Sequence, residues 1–311
     1  MKIVFMGTPD YAVKTLEALI GAGHTVAAVF AQPDKPVGRK QILTPPPVKV
    51  CAEMHGIPVF QPRTLRDGEA EKIIRDIAPD VIAVVAYGKI LPTEILTLPR
   101  YGCVNGHASL LPKYRGAAPI QWCIVNGEKE TGVTAMQMDE GMDTGDILKT
   151  AVTEIGAEET AGELFERLSV IGAKLLVETL ADIEDGSITP VKQDESKATS
   201  APIIKKEMAK ISFHDMTAEE VHNAVRGFYP WPVAFFISGG KRIKIIKSRV
   251  VNMRGTAGAV LKSDNELIVA CKKEAVALET IQPEGSKPMS AKQYLCGRPI
   301  ALGTEIEDEN G

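Results

Sequence analysis

No window of the chain approaches the run of about 18 apolar residues that a membrane-spanning helix needs, so no segment is expected to cross a bilayer. After Lys2 the apolar run is too short for a secretory leader and enters Gly7-Thr8-Pro9 directly, so no export is expected. The five cysteines (Cys51, Cys103, Cys123, Cys271 and Cys296) are odd in number, scattered and without a Cys-x-x-Cys pair. That is the usage of reduced thiols in a cytoplasmic protein. The five histidines are as dispersed, and no spacing of His, Cys and Asp matches a metal site. A dinucleotide fingerprint is missing too: Gly7 stands alone, with no G-x-G-x-x-G, which argues against NAD or FAD. There is no internal repeat and no low-complexity tract.

What is present is the material of a soluble globular protein: 311 residues, 44% hydrophobic and 24% charged, enough for two domains. Residues 2–6 form a short apolar strand. Thr8 and Pro9 are placed as N-cap and first residue of a helix carrying Val13, Leu16, Leu19 and Ile20, which Gly21 and Gly23 end. A second strand follows at 25–30. This βαβ opening predicts a parallel sheet with right-handed crossovers. Residues 34–47 read as a long polar loop with Lys35, Arg39 and Lys40, and such loops are functional or mobile. Residues 80–86 are continuously apolar, as in a strand buried on both faces, and Tyr87 and Gly88 begin its exit loop. A helix is predicted over 118–126 and strands over 133–138 and 146–153. Thr160 and Glu163 form a capping box for a long helix reaching about Ile183. Residues 193–204 have the Ser, Lys, Thr, Ala and Pro content of a linker. Beyond a second capping box at Thr217 and Glu220, five short apolar runs separated by Gly, Ser and Asn predict a small barrel. The expected division is 1–192, 193–204 and 205–311.

The net charge of −4 is distributed unevenly. Residues 1–202 carry 20 Lys and Arg against 27 Asp and Glu, a net of −7, while residues 203–254 carry ten against four, a net of +6. A block of that sign can be a solvated face; beside a catalytic domain it is a candidate footprint for a polyanion.

The chemistry is concentrated in residues 101–121. Cys103 and Val104 read as the end of a buried strand, and Asn105 and His107 follow, two residues apart and therefore on one side of an extended backbone. An amide donor thus stands beside an imidazole, the side chain whose unperturbed pKa lies nearest neutrality. One can stabilise an oxyanion and the other can move a proton, which is the equipment of acyl transfer. Ser109-Leu110-Leu111-Pro112 leaves the strand as a loop. About 35 residues on comes an acidic loop with Asp139, Glu140, Asp143 and Asp146, among which chemistry alone does not choose. Gly7-Thr8, Tyr87-Gly88, Asn105-His107 and 139–143 are each expected beyond the carboxyl end of a strand, where open α/β sheets bind ligands.

The Asn-x-His pair with Ser-Leu-Leu-Pro and the later aspartate resembles the 10-formyltetrahydrofolate-dependent formyltransferases. The likeness takes in Gly7-Thr8-Pro9 and Pro33-Asp34-Lys35-Pro36 and covers nearly the whole chain. One departure stands out: Gly106 occupies the place between Asn105 and His107 where the family has a branched apolar residue. The resemblance implies an α/β fold, a Rossmann-like doubly wound and mostly parallel sheet, followed by a small OB-like β-barrel domain. It also implies Asn105, His107 and Asp143 as catalytic residues, with Asp143 fixing the imidazole's tautomer and stabilising its charged form. Ser109, Leu110, Leu111, Pro112, Tyr87 and Gly88 would bind the formyl donor, 10-formyltetrahydrofolate, without a metal. The branch it is most similar to formylates the α-amino group of initiator methionyl-tRNA. That implies tRNA contacts by Arg39 and Lys40 and, in the basic block, by Lys205, Lys206, Lys244 and Lys247, in a cytoplasmic monomer. A ribonucleotide or amino-sugar nucleotide as acceptor would leave the basic block without a role. A purely RNA-binding protein would not need the intact Asn105, His107 and Asp143.

Overall fold

The computed structural model describes residues 1–38 and 40–306, which form two compact units. The first comprises 1–119, 130–154 and 165–201; the second comprises 120–129, 155–164 and the chain from Pro202.

The first unit is built on β1 (Lys2–Gly7), α1 (Asp10–Gly21), β2 (Thr25–Phe30), β3 (Lys35–Val37), β4 (Ile42–Thr44), α2 (Pro47–Met54), β5 (Val59–Phe60), α3 (Glu69–Ile77), β6 (Val81–Val85), α4 (Thr93–Leu96), β7 (Cys103–His107) and β8 (Arg115–Gly116). After α5 (Pro119–Val125), which from Ile120 is part of the second unit, come β9 (Glu130–Gln137), β10 (Ile147–Glu154), α6 (Ala161–Asp185), in this unit from Phe165, and β11 (Ser200–Ala201). Seven strands make one sheet in the order β10-β9-β7-β6-β1-β2-β5. From β7 to β5 all are parallel, while β9 pairs antiparallel with both β7 and β10. The strand order reverses at β1: β2 and β5 lie on one side, β6 and β7 on the other, which makes the β1/β6 junction a topological switch point. Every residue of β6 is buried, as its unbroken Val/Ile/Ala run predicts for a strand covered on both faces. β10, at the edge, alternates between covered and exposed positions.

Three local features differ from the sequence reading. α1 begins at Asp10, and Thr8 caps nothing; its hydroxyl instead donates to the Tyr87 carbonyl at 3.0 Å, tying the exit loops of β1 and β6 together. The polar loop 34–47 contains a hairpin, β3 paired with β4. The expected linker is not free chain. Ser200 and Ala201 pair in parallel with Arg115 and Gly116, so residues up to Ala201 belong to the first unit.

The second unit contains α5, α7 (Ala218–Gly227), β12 (Phe235–Ser238), β13 (Lys241–Val251), β14 (Val260–Ser263), β15 (Leu267–Ala270), β16 (Ala275–Pro283), β17 (Met289–Ser290) and α8 (Ala291–Gly297). The Thr217/Glu220 capping box opens α7. The strands pair in the order β12-β13-β16-β15-β14, all antiparallel, with β17 added to β16. The sheet curls as a half-barrel, bent by two register shifts in β13 between Ile245 and Ser248. Arg226 is interior: its guanidinium donates to the carbonyls of Gly156 and Glu159 and to Asn223 Oδ1. One of the ten cations in the basic block is thereby spent on holding residues 155–159 to α7.

Candidate active site

β7 pairs with β6 on one side, Asn105 opposite Val84, and with β9 on the other, Asn105 opposite Met136 and His107 opposite Thr134. The period of two puts the Asn105 and His107 side chains on one face of the strand tip. Asn105 is half-buried, and no described residue takes up its amide. His107 is 6% exposed. Its Nε2 lies 2.9 Å from the Tyr114 carbonyl oxygen and its Nδ1 lies 3.6 Å from Asp143 Oδ2. A carbonyl can only accept, so Nε2 carries the hydrogen and Nδ1 is the basic atom of the neutral ring. The tautomer is therefore set by Tyr114, not by Asp143. What the Asp143 carboxylate can do from 3.6 Å is stabilise the ring once Nδ1 is protonated.

Among the described residues, Asp143 alone of the four loop acids stands at ion-pair distance from His107. Asp139 accepts from the Gly141 N–H at 3.0 Å and the Thr144 hydroxyl at 2.7 Å, folding the loop on itself, and Glu140 accepts from the Thr93 hydroxyl at 2.8 Å. β9 is antiparallel, so its carboxyl end lies opposite Val104, at the entry of β7 and away from its tip. Three of the four expected loops follow parallel strands; this one reaches the site by folding back. It does so with Asp143 at φ +56, a conformation that non-glycine residues adopt only where their surroundings impose it. Asp143 Oδ2 also accepts the Gly116 N–H at 2.9 Å. Gly116 itself has φ +117, and a Cβ there would stand 2.8 Å from the Ala201 carbonyl oxygen, so the β8/β11 pairing admits only glycine.

The Ser109–Pro112 loop is bound mostly to its own surroundings. The Ser109 hydroxyl donates to the Lys113 carbonyl at 2.6 Å and its N–H to the His107 carbonyl at 2.9 Å. Thr134, fully buried beneath the loop, donates its hydroxyl to the Ser109 carbonyl at 2.7 Å and accepts the Leu111 N–H at 3.1 Å. The Leu110 carbonyl accepts from Lys113 and the Pro112 carbonyl from Thr199. The Leu110 N–H and the Leu111 carbonyl remain, taken up by no described residue, together with the half-buried Leu110 side chain. This donor, acceptor and apolar surface fit the edge of a planar heterocycle. Tyr87 is placed otherwise than expected for a binding residue. Its ring is 2% exposed in the core with Val4, Phe30, Leu91 and Ile95, and burial pushes its hydroxyl up to about 12. Its carbonyl already accepts from Thr8 and Gln32, and the exposed Gly88 is what that loop presents.

Several residues at the site carry no sequence signal. Thr134, Thr199 and Gln193 lie 23 or more positions from the groups they bond, so no local pattern marks them. Gln193 Nε2 donates to the carbonyls of Asp143 and Gly145 while its Oε1 accepts from Arg115. Arg115 is also paired with Glu195 at 2.7 Å, which raises the arginine's hold on its proton and keeps the Glu195 carboxyl below its usual range.

Of the cations expected to meet tRNA, Arg39 lies outside the described residues. Lys40 is exposed beside the β3–β4 hairpin, and Lys205 and Lys206 are exposed in the second unit. Lys244 lines an open hollow of about 600 Å³ with Arg242, Gln282 and Glu284. Lys247 pairs with Glu279 at 3.2 Å. Among the described residues no cluster of His, Cys, Asp and Glu is placed to hold a metal ion, and no helix is long and apolar enough to cross a membrane.

Residues 1–180 match the formyl transferase family and residues 203–299 match the formyl transferase C-terminal domain. A methionyl-tRNA formyltransferase of Alkaliphilus oremlandii is 48% identical over 306 residues, covering 97% of this chain and 98% of that protein. One from Geotalea uraniireducens is also 48% identical, over 98% of this chain and 97% of its own. Among solved structures, an N-formyltransferase of Helicobacter canadensis in complex with folinic acid and dTDP-3-aminofucose superposes with a TM-score of 0.69 at 22% identity, over 91% of this chain and 99% of that one. HypX of Aquifex aeolicus with tetrahydrofolic acid gives 0.64 at 16% identity, over 95% of this chain and 47% of that one; both show the fold. The chain belongs to the formyl transferase family.

Proposed function

We propose that this formyl transferase moves the formyl group of 10-formyltetrahydrofolate to the α-amino group of initiator methionyl-tRNA. The acceptor follows from relatives of that activity, 48% identical along almost the whole chain and carrying the same C-terminal domain. The chemistry rests on one observation: His107 Nδ1 faces the Asp143 carboxylate while the Asn105 amide shares its strand face with no partner among the described residues.

The donor supplies an activated formyl group, held by the Leu110 N–H, the Leu111 carbonyl and the exposed backbone at Gly88. His107 Nδ1 takes a proton from the incoming amine, whose nitrogen bonds to the formyl carbon. The Asn105 amide donates to the tetrahedral oxyanion, a contribution of roughly 2.7–4 kcal/mol where such donors have been removed. Asp143 holds the imidazolium, and His107 returns the proton to the departing folate nitrogen as the carbon–nitrogen bond breaks. No covalent enzyme intermediate is required, because the acceptor is itself the nucleophile.

In this reading the first unit, the expected 1–192 extended to Ala201, carries the reaction and 205–311 bind tRNA, with Lys40, Lys205, Lys206, Lys244 and Lys247 meeting phosphate and Arg39 beside the aminoacyl end. The protein works as a cytoplasmic monomer. The deciding experiment offers formyl-folate with charged initiator tRNA, a ribonucleotide amine and an amino-sugar nucleotide in competition, and identifies the formylated product by mass. Formyl-methionyl-tRNA is expected; a formylated sugar or ribonucleotide in its place overturns the reading.

A further inference from the structure

A closed ring of hydrogen bonds surrounds the strained residue of the acidic loop. Gln193 Nε2 donates to the Asp143 carbonyl at 2.9 Å and to the Gly145 carbonyl at 2.7 Å. Its Oε1 accepts Arg115 Nε at 3.1 Å and Nη2 at 2.8 Å. Arg115 is held from beyond by both oxygens of Glu195, at 2.9 and 2.7 Å. The residue after Arg115 is Gly116, whose N–H returns to the Asp143 carboxylate at 2.9 Å. The ring therefore grips Asp143 twice, by its backbone through Gln193 and by its side chain through Gly116. Asp143 sits at φ +56, where a non-glycine residue stays only if its neighbours over-determine it.

We infer that Gln193 is a positioning residue for formyl transfer, holding the Asp143 carboxylate against His107. The inference rests on the assignment of Asp143 as the partner of His107. A primary amide is the group this place needs, since it alone offers two donors for the carbonyls of 143 and 145 and an acceptor for the guanidinium. Glutamate keeps the acceptor and loses both donors, setting a charge against two carbonyls. Residues 193–201 are thus part of the catalytic apparatus, although their composition is that of a connector.

The test compares kcat and KM for formyl-folate and charged tRNA in the full chain with Gln193→Ala, Gln193→Glu, Asp143→Asn and the double variant Asp143→Asn/Gln193→Ala, alongside thermal midpoints. Gln193→Ala is expected to lower kcat about ten- to a hundredfold, the scale of an ångström-sized misplacement of a catalytic group. KM for formyl-folate should stay within about twofold, the scatter of independent sites. In the Asp143→Asn background the same substitution should cost no more than about twofold, because Gln193 acts through the carboxylate. A wild-type kcat for Gln193→Ala, losses that multiply in the double variant, or a loss equal to the unfolded fraction would each overturn the inference. If Gln193→Ala does not fold, Gln193→Glu decides, and a wild-type kcat in it is equally fatal. A wild-type kcat in Asp143→Asn would instead sink the assignment of Asp143 and the inference with it.

Discussion

The Asp143 carboxylate reaches His107 Nδ1 at 3.6 Å with the same oxygen that accepts the Gly116 N–H at 2.9 Å. It arrives from a loop that begins beyond the opposite end of the neighbouring strand. One carboxylate oxygen thus links β8, the β9–β10 loop and the tip of β7. His107→Ala should lower kcat roughly 10²–10⁴-fold, the range of positioned general acid–base groups. Asn105→Ala should lower it roughly 10²–10³-fold, the range for a lost oxyanion donor. Formyl-folate binding should change little in either. Asp143→Asn should fall by at least two orders of magnitude by the same reasoning. Asp139→Asn, which disturbs only the internal turn at Gly141 and Thr144, should lose much less. Steady-state kinetics at saturating donor distinguishes them, and equal losses for Asp139 and Asp143 would remove the carboxylate assignment.

Gly106 is not required by its backbone. Its φ is not in the left-handed region, and a Cβ built there meets only Val85 Cγ2, at 3.5 Å, an ordinary contact. Gly106→Ala should therefore keep wild-type turnover and raise the unfolding midpoint, since glycine in a strand interior weakens it by roughly 0.5–1 kcal/mol relative to alanine. Gly106→Val should preserve or raise activity. Urea melts with parallel rate measurements check this; a folded Gly106→Ala with collapsed turnover contradicts it.

Thr134 holds the Ser109–Pro112 loop from below. Thr134→Val keeps the shape and strands the Ser109 carbonyl and the Leu111 N–H, each unpaired buried group costing about 1–3 kcal/mol. Denaturant unfolding should report a lower midpoint, and KM for formyl-folate should rise more than kcat falls. Thr134→Ser should restore both. A stability loss without any rise in KM would separate this loop from the donor.

Lys244 and Lys247 stand on one strand with different surroundings. Lys244 shares its hollow with Arg242, whereas Lys247 is engaged by Glu279. If phosphate sits at the hollow, Lys244→Glu should flatten the slope of log tRNA affinity against log salt by about one unit, and Lys247→Glu by less. A salt series for both variants tests this; identical slopes in Lys244→Glu and the parent would take the hollow out of tRNA recognition.

What the sequence determined by itself is what repeats over a few residues. The two-residue period put Asn105 and His107 on one face, and the unbroken apolar run of β6 announced a strand covered on both sides. Serial Thr-to-Glu spacing marked the starts of α6 and α7, and turn residues set the short strands of the second unit apart. Each of these rests on local backbone geometry, where neighbours three or four positions apart decide the outcome. Local chemistry left four acids open and only the family resemblance pointed to Asp143; the tertiary structure brings it to His107 because a loop folds back across an antiparallel pair. It also converted 193–201 from an apparent linker into a strand and a clamp, turned Thr8 from a helix cap into a tie between two loops, and withdrew Arg226 from the basic surface. These contacts join residues tens of positions apart, and a hydrogen bond formed across that distance leaves no periodic trace in the chain that makes it.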